Sequence, residues 1–263
     1  WFGCVGVLRS NNDRTCCGVS DAGDALCFPN LYYSSAITIL PYLDFALIRD
    51  NPKVFLGYSD ITSLLNAIYA KTGLITFHGP NVMSRWNPFT YKGMRDVIFE
   101  ATAAQYQNPL VIDDDLVVRD HRIQTINSGK AEGQLIGGNL TLMSALVGTP
   151  YLPSADGAIL FLEDVGEAIY RVDRMMTQLR LSGLLDRVSG IVFGHFTGVK
   201  PNPGLGNFSL MDILRQHCEP LQVPCYFGAM IGHVDQQSTV PVGARAEMDA
   251  DKGVLSLREP AVR

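Results

Sequence analysis

Apolar residues form two kinds of run along this chain, short continuous ones and longer ones spaced by three or four residues. In the first half, a continuous run at 54–57 precedes a helically spaced run through Ile61, Leu64 and Ile68, and a second continuous run covers 74–77. Continuous runs of this length indicate buried strands, whereas the three-to-four spacing indicates a helix. The order strand, helix, strand predicts a βαβ unit, and hence a parallel sheet covered by helices.

The same patterns predict further elements in both halves. A short helix is predicted over 40–48, with Pro41 near its start, and residues 92–106 are predicted to be helical. Residues 107–133 are polar and are predicted to contain short strands. The second half has strands predicted at 158–162, 190–194, 226–228, 240–243 and 254–257, with helices beginning near Asn139, Tyr170 and Leu210. The pattern as a whole predicts an α/β protein.

Composition suggests how the chain is divided. Its 263 residues are enough for one large domain or two smaller ones, and 47% of them are hydrophobic, which is ample for a core. Residues 1–35 hold four of the six cysteines and little periodicity, so no strand or helix is predicted there. A domain boundary is predicted near residue 120, where the polar segment separates two sets of apolar runs.

Charge and hydropathy exclude several classes of function. The net charge is −5 and no basic run exceeds two residues, which argues against nucleic acid as a partner. No apolar stretch reaches membrane-spanning length and no signal-peptide pattern is visible, so we expect no membrane association. The cysteines form no CxxC pair, and reduced thiols of a cytosolic protein are favoured over a disulfide framework or a zinc ribbon.

The segment GYSD, residues 57–60, places a serine between a predicted strand and a predicted helix. Open α/β folds place their sites at this edge of the sheet. Ser59 could therefore be a nucleophile, with the Asp60 N–H group facing a developing negative charge. The second glycine of the G-x-S-x-G nucleophile elbow is absent, because Ile61 stands there. Ser59 or Asp60 could instead cap the helix, and the local pattern alone favours the cap.

A serine nucleophile needs a base, and the chain offers five histidines. His121 and His217 lie in polar stretches that are predicted to be exposed. The local sequence barely separates the other three, His78, His195 and His233. A carboxylate that orients the base is best supplied by Glu163, which ends an apolar strand where an unpartnered charge is costly. An ion pair between Glu163 and Arg171 or Arg174 is an equal alternative at this stage.

Two other features point to weaker sites. Gly137-Gly138-Asn139 at a predicted helix start could cradle a phosphate, although tight packing or a cap at Asn139 is favoured. Asp113-Asp114-Asp115 could suggest a metal, but no matching histidine or glutamate spacing accompanies it, so a solvated turn is favoured and no metal is predicted.

Longer stretches of the chain resemble the LD-carboxypeptidase family of serine peptidases, which includes muramoyltetrapeptide carboxypeptidase and the microcin C immunity proteins. The resemblance is carried by GYSD, by LED after an apolar strand, and by GH before a polar loop and PVG. The matching stretches are 40–80, 132–151, 159–185, 190–196 and 231–243. They occur in the family's order and span most of residues 40–245.

The resemblance implies a catalytic triad and a reaction. Ser59 corresponds to the family's nucleophile, Glu163 rather than Glu167 to its acid, and His233 to its base. The implied reaction is hydrolysis of the amide between the L-configured centre of a diamino acid and a terminal D-alanine in a murein tetrapeptide. The Asp60 N–H group would contribute to the oxyanion hole. Tyr58 and Asn139 are weaker candidates for substrate contacts.

The resemblance also implies an architecture and a setting. It implies a Rossmann-like N-terminal domain with a parallel sheet over 36–119 and a smaller C-terminal α/β domain over 120–263, with the cleft between them. Family members commonly form homodimers, need no metal or organic cofactor, and act in the cytoplasm on recycled cell-wall peptides.

One stretch departs from the family. The family's glycine-rich segment, which supplies an oxyanion N–H group, is replaced at 31–39 by LYYSSAITI. Loss of one such donor can cost on the order of a hundredfold in rate. With the unusual composition of 1–35, this suggests a truncated and frame-shifted reading of a family gene. The alternatives to a peptidase are an amidase of microcin C-type acyl-adenylate analogues and a low-activity homologue that acts at most as a binder.

Overall fold

Two mixed β-sheets and the helices that cover them are formed by residues 36–109, 121–200 and 208–262, which are the residues that this computed structural model describes. The helices are α1 (Phe45–Asp50), α2 (Thr62–Thr72), α3 (Pro88–Ile98), α4 (Leu140–Leu146), α5 (Ile169–Leu181) and α6 (Leu210–Cys218), with 3-10 segments at Ala36–Tyr42, Ser59–Ile61 and Glu219–Leu221. The α/β class predicted from the sequence is confirmed.

The strands follow the same chain order. They are β1 (Leu56–Gly57), β2 (Thr76–His78), β3 (Gln105–Tyr106), β4 (Gln124–Asn127), β5 (Lys130–Asn139), β6 (Ile159–Val165), β7 (Gly190–Thr197), β8 (Cys225–Phe227), β9 (Val240–Val242), β10 (Arg245–Asp249) and β11 (Val254–Leu257). β1 and β2 pair in parallel, as the βαβ pattern predicted, and β9 joins them as an antiparallel edge. A strand from the second half of the chain thus completes the small sheet.

The larger sheet has eight strands in the order β3-β11-β10-β5-β6-β7-β8-β4 among the described residues. Its central strands β5, β6, β7 and β8 are parallel, and α4, α5 and α6 connect them in turn. The run 159–162 in β6 is wholly buried. It is continuously apolar because both faces of a central parallel strand are covered. Most strands of the larger sheet belong to the second half of the chain, and β3 joins it from the first half.

Several element predictions needed correction. The helix predicted over 40–48 is two elements, because Asp44 caps α1 with its carboxylate and interrupts the preceding 3-10 segment that contains Pro41. The helix predicted over 92–106 ends at Ile98, since residues 105–106 pair with β11 instead. β10 was not predicted, because its alternating sequence is half polar. The boundary near 120 and residues 1–35 lie outside the described residues and stay predictions.

Polar side chains on the buried face of helix α2, which follows β1 of the small sheet, form hydrogen bonds to β5 of the larger sheet. The Asn66 side chain donates to Gly137 O (2.8 Å) and accepts from Gly137 N (3.3 Å). The Thr62 hydroxyl accepts from the Asn139 N–H group (3.0 Å). Gly137 has a φ of 138°, and a Cβ there would lie 1.9 Å from the Phe161 carbonyl oxygen. Glycine at 137 therefore lets β5 bend against β6 and meet α2.

Replacing Gly137 with alanine should destabilise the protein by about 3 kcal/mol or more, because the methyl group meets backbone that cannot withdraw. Urea denaturation measures the change. Gly93→Ala is the matched control, since a Cβ at that helical position meets nothing within 4 Å and should stabilise by about 0.5–1 kcal/mol. Equal unfolding midpoints for Gly137→Ala and the wild type would contradict the conclusion that position 137 requires glycine.

Candidate active site

Ser59 occupies a strained turn between β1 and α2. Its φ is 60°, in the left-handed region that L-residues other than glycine rarely adopt. Such strain at a non-glycine residue is found preferentially at functional sites, and the nucleophile elbow of hydrolases is one example. Gly57 permits the tight turn, because a Cβ there would lie 2.9 Å from Cγ2 of Ile61. The serine is thus held in a conformation that simple strand-to-helix continuation does not require.

The capping interpretation of this segment is wrong. Ile61 is the N-cap residue of α2 and makes no side-chain cap, and neither Ser59 nor Asp60 caps the helix with its side chain. The Asp60 carboxylate accepts a hydrogen bond from Ala36 N (2.5 Å), so it anchors the preceding 3-10 segment. Within the described residues, the Asp60 N–H group makes no hydrogen bond, and it therefore remains available as a donor near the N-terminus of α2.

Glu163 and His233, which are 70 residues apart in sequence, are hydrogen-bonded in the structure. Glu163 Oε2 lies 2.8 Å from His233 Nδ1. The Glu163 side chain is fully buried, whereas 19% of the His233 side chain is exposed. A buried carboxylate needs a partner, and His233 supplies it. Because Nδ1 faces the carboxylate, Nε2 is the ring nitrogen left to exchange a proton with a nucleophile.

Glycine brings the His233 loop against Glu163. Gly232 has a φ of 107°, and a Cβ there would lie 2.5 Å from Glu163 Oε2. The loop is anchored at both ends, because Ile231 O accepts from His195 N (3.0 Å) and Ser238 N donates to Met230 O (2.7 Å). These contacts hold the imidazole at the end of β6.

The Tyr58 ring connects the serine turn to the Glu163–His233 pair. Its centroid lies 4.8 Å from that of His233 in an edge contact. Ser59 is the next residue, so the turn, the imidazole and the carboxylate meet at one place. The hydrogen bonds of the described residues include none from the Ser59 hydroxyl, and catalytic hydrogen bonds of this kind commonly tighten only when substrate is bound. The triad therefore stays a prediction.

A second polar network stands beside this pair. Asp164 accepts from the Thr141 hydroxyl (2.9 Å) and from the Asn139 amide (3.1 Å), and Asn139 Oδ1 accepts from Leu142 N (3.3 Å) as the N-cap of α4. Burial raises the pKa of Asp164. These contacts confirm that Asn139 caps α4, and the diglycine before it packs closely, since a Cβ at Gly138 would lie 2.6 Å from the Thr62 side chain. A substrate contact by Asn139 stays a prediction.

His78 ends β2 and is fully buried next to the same cluster. Its ring centroid lies 5.4 Å from that of Phe161 and 6.4 Å from that of Tyr58. Burial lowers the pKa of His78 to about 4, partly offset by the Glu163 carboxylate and reinforced by His233. Its imidazole is therefore neutral at pH 7. Neither ring nitrogen has a hydrogen-bond partner among the described residues.

Acidification should destabilise the protein through His78. Between the unfolded value of 6.5 and the folded value of about 4, the unfolded chain binds more protons than the folded one. The free energy of unfolding should then fall by up to about 1.4 kcal/mol per pH unit as the pH drops through this window. Urea denaturation of the wild type and His78→Gln at pH 7 and pH 4.5 measures the effect. An equally steep pH dependence in both proteins would contradict it.

The remaining candidates lie elsewhere. His217 is buried rather than exposed, because its Nε2 bonds Asp173 Oδ1 (2.8 Å) between α6 and α5. His195 belongs to β7 and lies beside the Phe227 ring. Arg171 pairs with Glu167 (3.5 Å) instead of with Glu163.

The weaker sites are resolved only in part. The run at 113–115 lies outside the described residues, and within those that are described no three His, Cys, Asp or Glu side chains group to hold a metal. Cys218 and Cys225 are buried free thiols, and the other four cysteines lie outside the described part. None of the described helices has both the length and the apolar character needed to cross a bilayer.

Sequence reasoning missed two residues that build the site. Asn66 and Thr62 lie on the buried face of α2 and hold the diglycine segment in place. Their signal was present, since an asparagine in the middle of an apolar helix face needs an internal partner. The sequence could not name that partner, which is 71 residues away.

An α/β fold that carries a serine on a strained strand-to-helix turn next to a buried glutamate–histidine pair has the features of a serine-type hydrolase. Family models agree with this assignment. The LD-carboxypeptidase N-terminal domain matches residues 34–79, and the LD-carboxypeptidase C-terminal domain matches residues 132–248.

Individual relatives support the same family. A probable murein peptide carboxypeptidase of Bacillus subtilis is 38% identical over 212 residues, which are 79% of this chain and 63% of that protein. The microcin C7 self-immunity protein MccF of Escherichia coli is 30% identical over 96% of this chain and 76% of its own length. The crystal structure of a muramoyltetrapeptide carboxypeptidase from Oxalobacter formigenes superposes with a TM-score of 0.75 at 28% identity, covering 91% of this chain and 79% of that one. The chain belongs to the LD-carboxypeptidase family of serine-type peptidases.

Proposed function

We propose that the protein is a serine carboxypeptidase that releases the terminal D-alanine from murein tetrapeptides. The observation that supports this most directly is the 2.8 Å hydrogen bond between the buried Glu163 and His233, next to the serine turn. The Bacillus subtilis relative, named as a probable murein peptide carboxypeptidase, supports the substrate class. The bond cleaved would be the amide between the L-centre of the diamino acid and D-alanine.

The mechanism would proceed through an acyl-enzyme. Ser59 Oγ attacks the scissile carbonyl carbon while His233 Nε2 takes its proton, and the tetrahedral oxyanion is met by the Asp60 N–H group. Glu163 holds the imidazole through Nδ1 and stabilises the imidazolium. His233 then protonates the departing amine of D-alanine. Water, deprotonated by His233, hydrolyses the ester and restores Ser59.

The direct test incubates the full chain with a murein tetrapeptide that carries either meso-diaminopimelate or lysine, and measures free D-alanine by chiral chromatography. The matched control is the same peptide ending in L-alanine, which should be resistant. Time-dependent release of D-alanine from the first peptide alone supports the proposal. Absence of release from either diamino acid form would contradict it.

A second candidate function is an amidase that cleaves microcin C-type conjugates. It is favoured by the 30% identity to the microcin C7 self-immunity protein over nearly the whole chain. An aminoacyl sulfamoyl adenosine serves as the substrate in a parallel assay. Cleavage of this compound without D-alanine release would favour the amidase, and no turnover of either substrate would favour the third reading, a low-activity homologue that acts at most as a binder.

Two further properties stay predictions of the family resemblance. The enzyme would act in the cytoplasm on recycled cell-wall peptides, and it would form a homodimer. Light scattering coupled to size-exclusion chromatography measures the second. A mass of about 29 kDa, that of a single chain of 28.8 kDa, would contradict the homodimer.

A further inference from the structure

Three buried polar atoms at the centre of this site lack a protein partner. They are both ring nitrogens of His78 and Oε1 of Glu163, each without a hydrogen bond to any described residue. A buried polar atom left unpaired costs about 1–3 kcal/mol. The two side chains are each 0% exposed. These three atoms belong to two buried side chains of one cluster and make no direct hydrogen bond to each other.

The surrounding contacts place His78 next to Glu163. His78 packs on Phe161, and Phe161 and Glu163 are two residues apart in β6, so their side chains share a face. Gly138 closes the other side, because a Cβ there would lie 3.1 Å from His78 Nδ1. The Glu163 carboxylate and the His233 imidazole are the charged groups that act on His78, and Tyr58 is the third titratable group in contact with it.

The two oxygens of Glu163 have different surroundings. Oε2 is bound to His233 Nδ1 and covered by Gly232, whereas Oε1 has no donor. The last side-chain torsion of a glutamate, χ3, has a broad energy minimum, so one hydrogen bond does not fix the carboxylate. Rotation about χ3 would move Oε2 away from His233. A donor to Oε1 would prevent that rotation. Among the described residues, His78 is buried, has an unused ring nitrogen and interacts electrostatically with Glu163.

We propose that His78 is a positioning residue, whose neutral imidazole donates through one buried water to Glu163 Oε1 and so keeps Oε2 on His233. This rests on the proposed peptidase function. A bridging water needs two to four polar partners, and His78 and Oε1 provide them. A neutral imidazole has one N–H donor and does not compete with His233 for the negative charge, whereas a cation at position 78 would.

The kinetic test compares two substitutions with opposite expectations. His78→Phe keeps the packing on Phe161 but removes the donor, and kcat for D-alanine release should fall about tenfold to a hundredfold, as for other supporting hydrogen bonds, with little change in KM. Without the second donor the Glu163 carboxylate turns away from His233 and stabilises its imidazolium less, so the acid limb of the kcat/KM profile should move to lower pH. His78→Gln keeps an N–H donor. It should therefore retain both the kcat of the wild type and the position of the acid limb of its kcat/KM profile.

A second readout does not depend on turnover. The proton on His233 Nδ1, held by Glu163, should give a slowly exchanging imidazole N–H signal in the NMR spectrum. This signal should persist in His78→Gln and be lost in His78→Phe. If the wild type releases no D-alanine, the proposed function fails while the signal still tests the role of His78.

His217→Gln is the matched control, since it alters a buried histidine whose partner is Asp173 of α5 and should leave the His233 signal and the pH profile unchanged. The proposal is overturned if His78→Phe keeps full activity, or if it lowers activity without moving either the acid limb or the signal. Should His78→Phe fail to fold, loss of the signal in folded His78→Gln would overturn it equally.

Discussion

Replacing Ser59 with alanine should lower kcat/KM for D-alanine release by about 10³- to 10⁶-fold while the protein stays folded. The loss is large because the acyl-enzyme cannot form, and removal of a triad nucleophile in other serine hydrolases has effects of this size. D-alanine release measures the rate, and circular dichroism with a thermal melt measures the fold. Activity above about one tenth of the wild type would exclude Ser59 as the nucleophile.

Two companion variants separate chemistry from backbone strain at this turn. Ser63→Ala removes a hydroxyl that donates to the carbonyl oxygen of Asp60 (2.9 Å), three residues earlier in the chain. This variant should keep most of the activity. Ser59→Gly should lose activity as completely as Ser59→Ala. Its stability should be at least that of the wild type, because relief of a left-handed conformation is worth about 1 kcal/mol and offsets the added freedom of the unfolded chain.

Glu163→Gln should lower kcat by about 10²- to 10⁴-fold with little change in KM. The substitution keeps the shape of the side chain but removes the charge that stabilises the His233 imidazolium, and a comparable change in another triad costs about 10⁴-fold. The fold should survive, because a neutral amide is less costly to bury than a carboxylate. Steady-state kinetics on the tetrapeptide and a thermal melt measure the two effects.

Glu167→Gln is the comparison that decides between the two acidic residues of this segment. Glu167 pairs with Arg171, and no hydrogen bond or ion pair joins it to His233 among the described residues, so its substitution should cost far less than that of Glu163. A loss in Glu167→Gln equal to that in Glu163→Gln would show that the buried hydrogen bond is not what supports catalysis.

The local pattern was a reliable guide to elements and a poor guide to roles. Helix α2 and its end at Gly73, which has a φ of 74°, follow from periodicity and a glycine stop. Strand β6 follows from its apolar run. The same local pattern favoured a cap at Ser59, which is wrong, because a positive φ is imposed by packing around the turn and leaves no local signature apart from Gly57.

Among the histidines, the residues alone left His78, His195 and His233 unresolved. The family resemblance selected His233, and the structure shows it bonded to Glu163. His217 was predicted to be exposed from its polar surroundings, yet it is buried against Asp173. Polar residues next to His217 in sequence do not show that it is exposed, because a helix that packs on another helix buries one of its faces.

Periodicity, glycine stops and motif order are local or linear properties, and they were sufficient to predict the α/β class, most of the strands and helices, and the family. The bond between Glu163 and His233, the approach of β5 to α2 at the diglycine, and the burial of His78 as a neutral ring became visible only in the folded molecule. The first two depend on contacts between residues 70 and 71 positions apart, whose geometry follows from the packing of the two sheets and is not encoded in any one stretch of the chain.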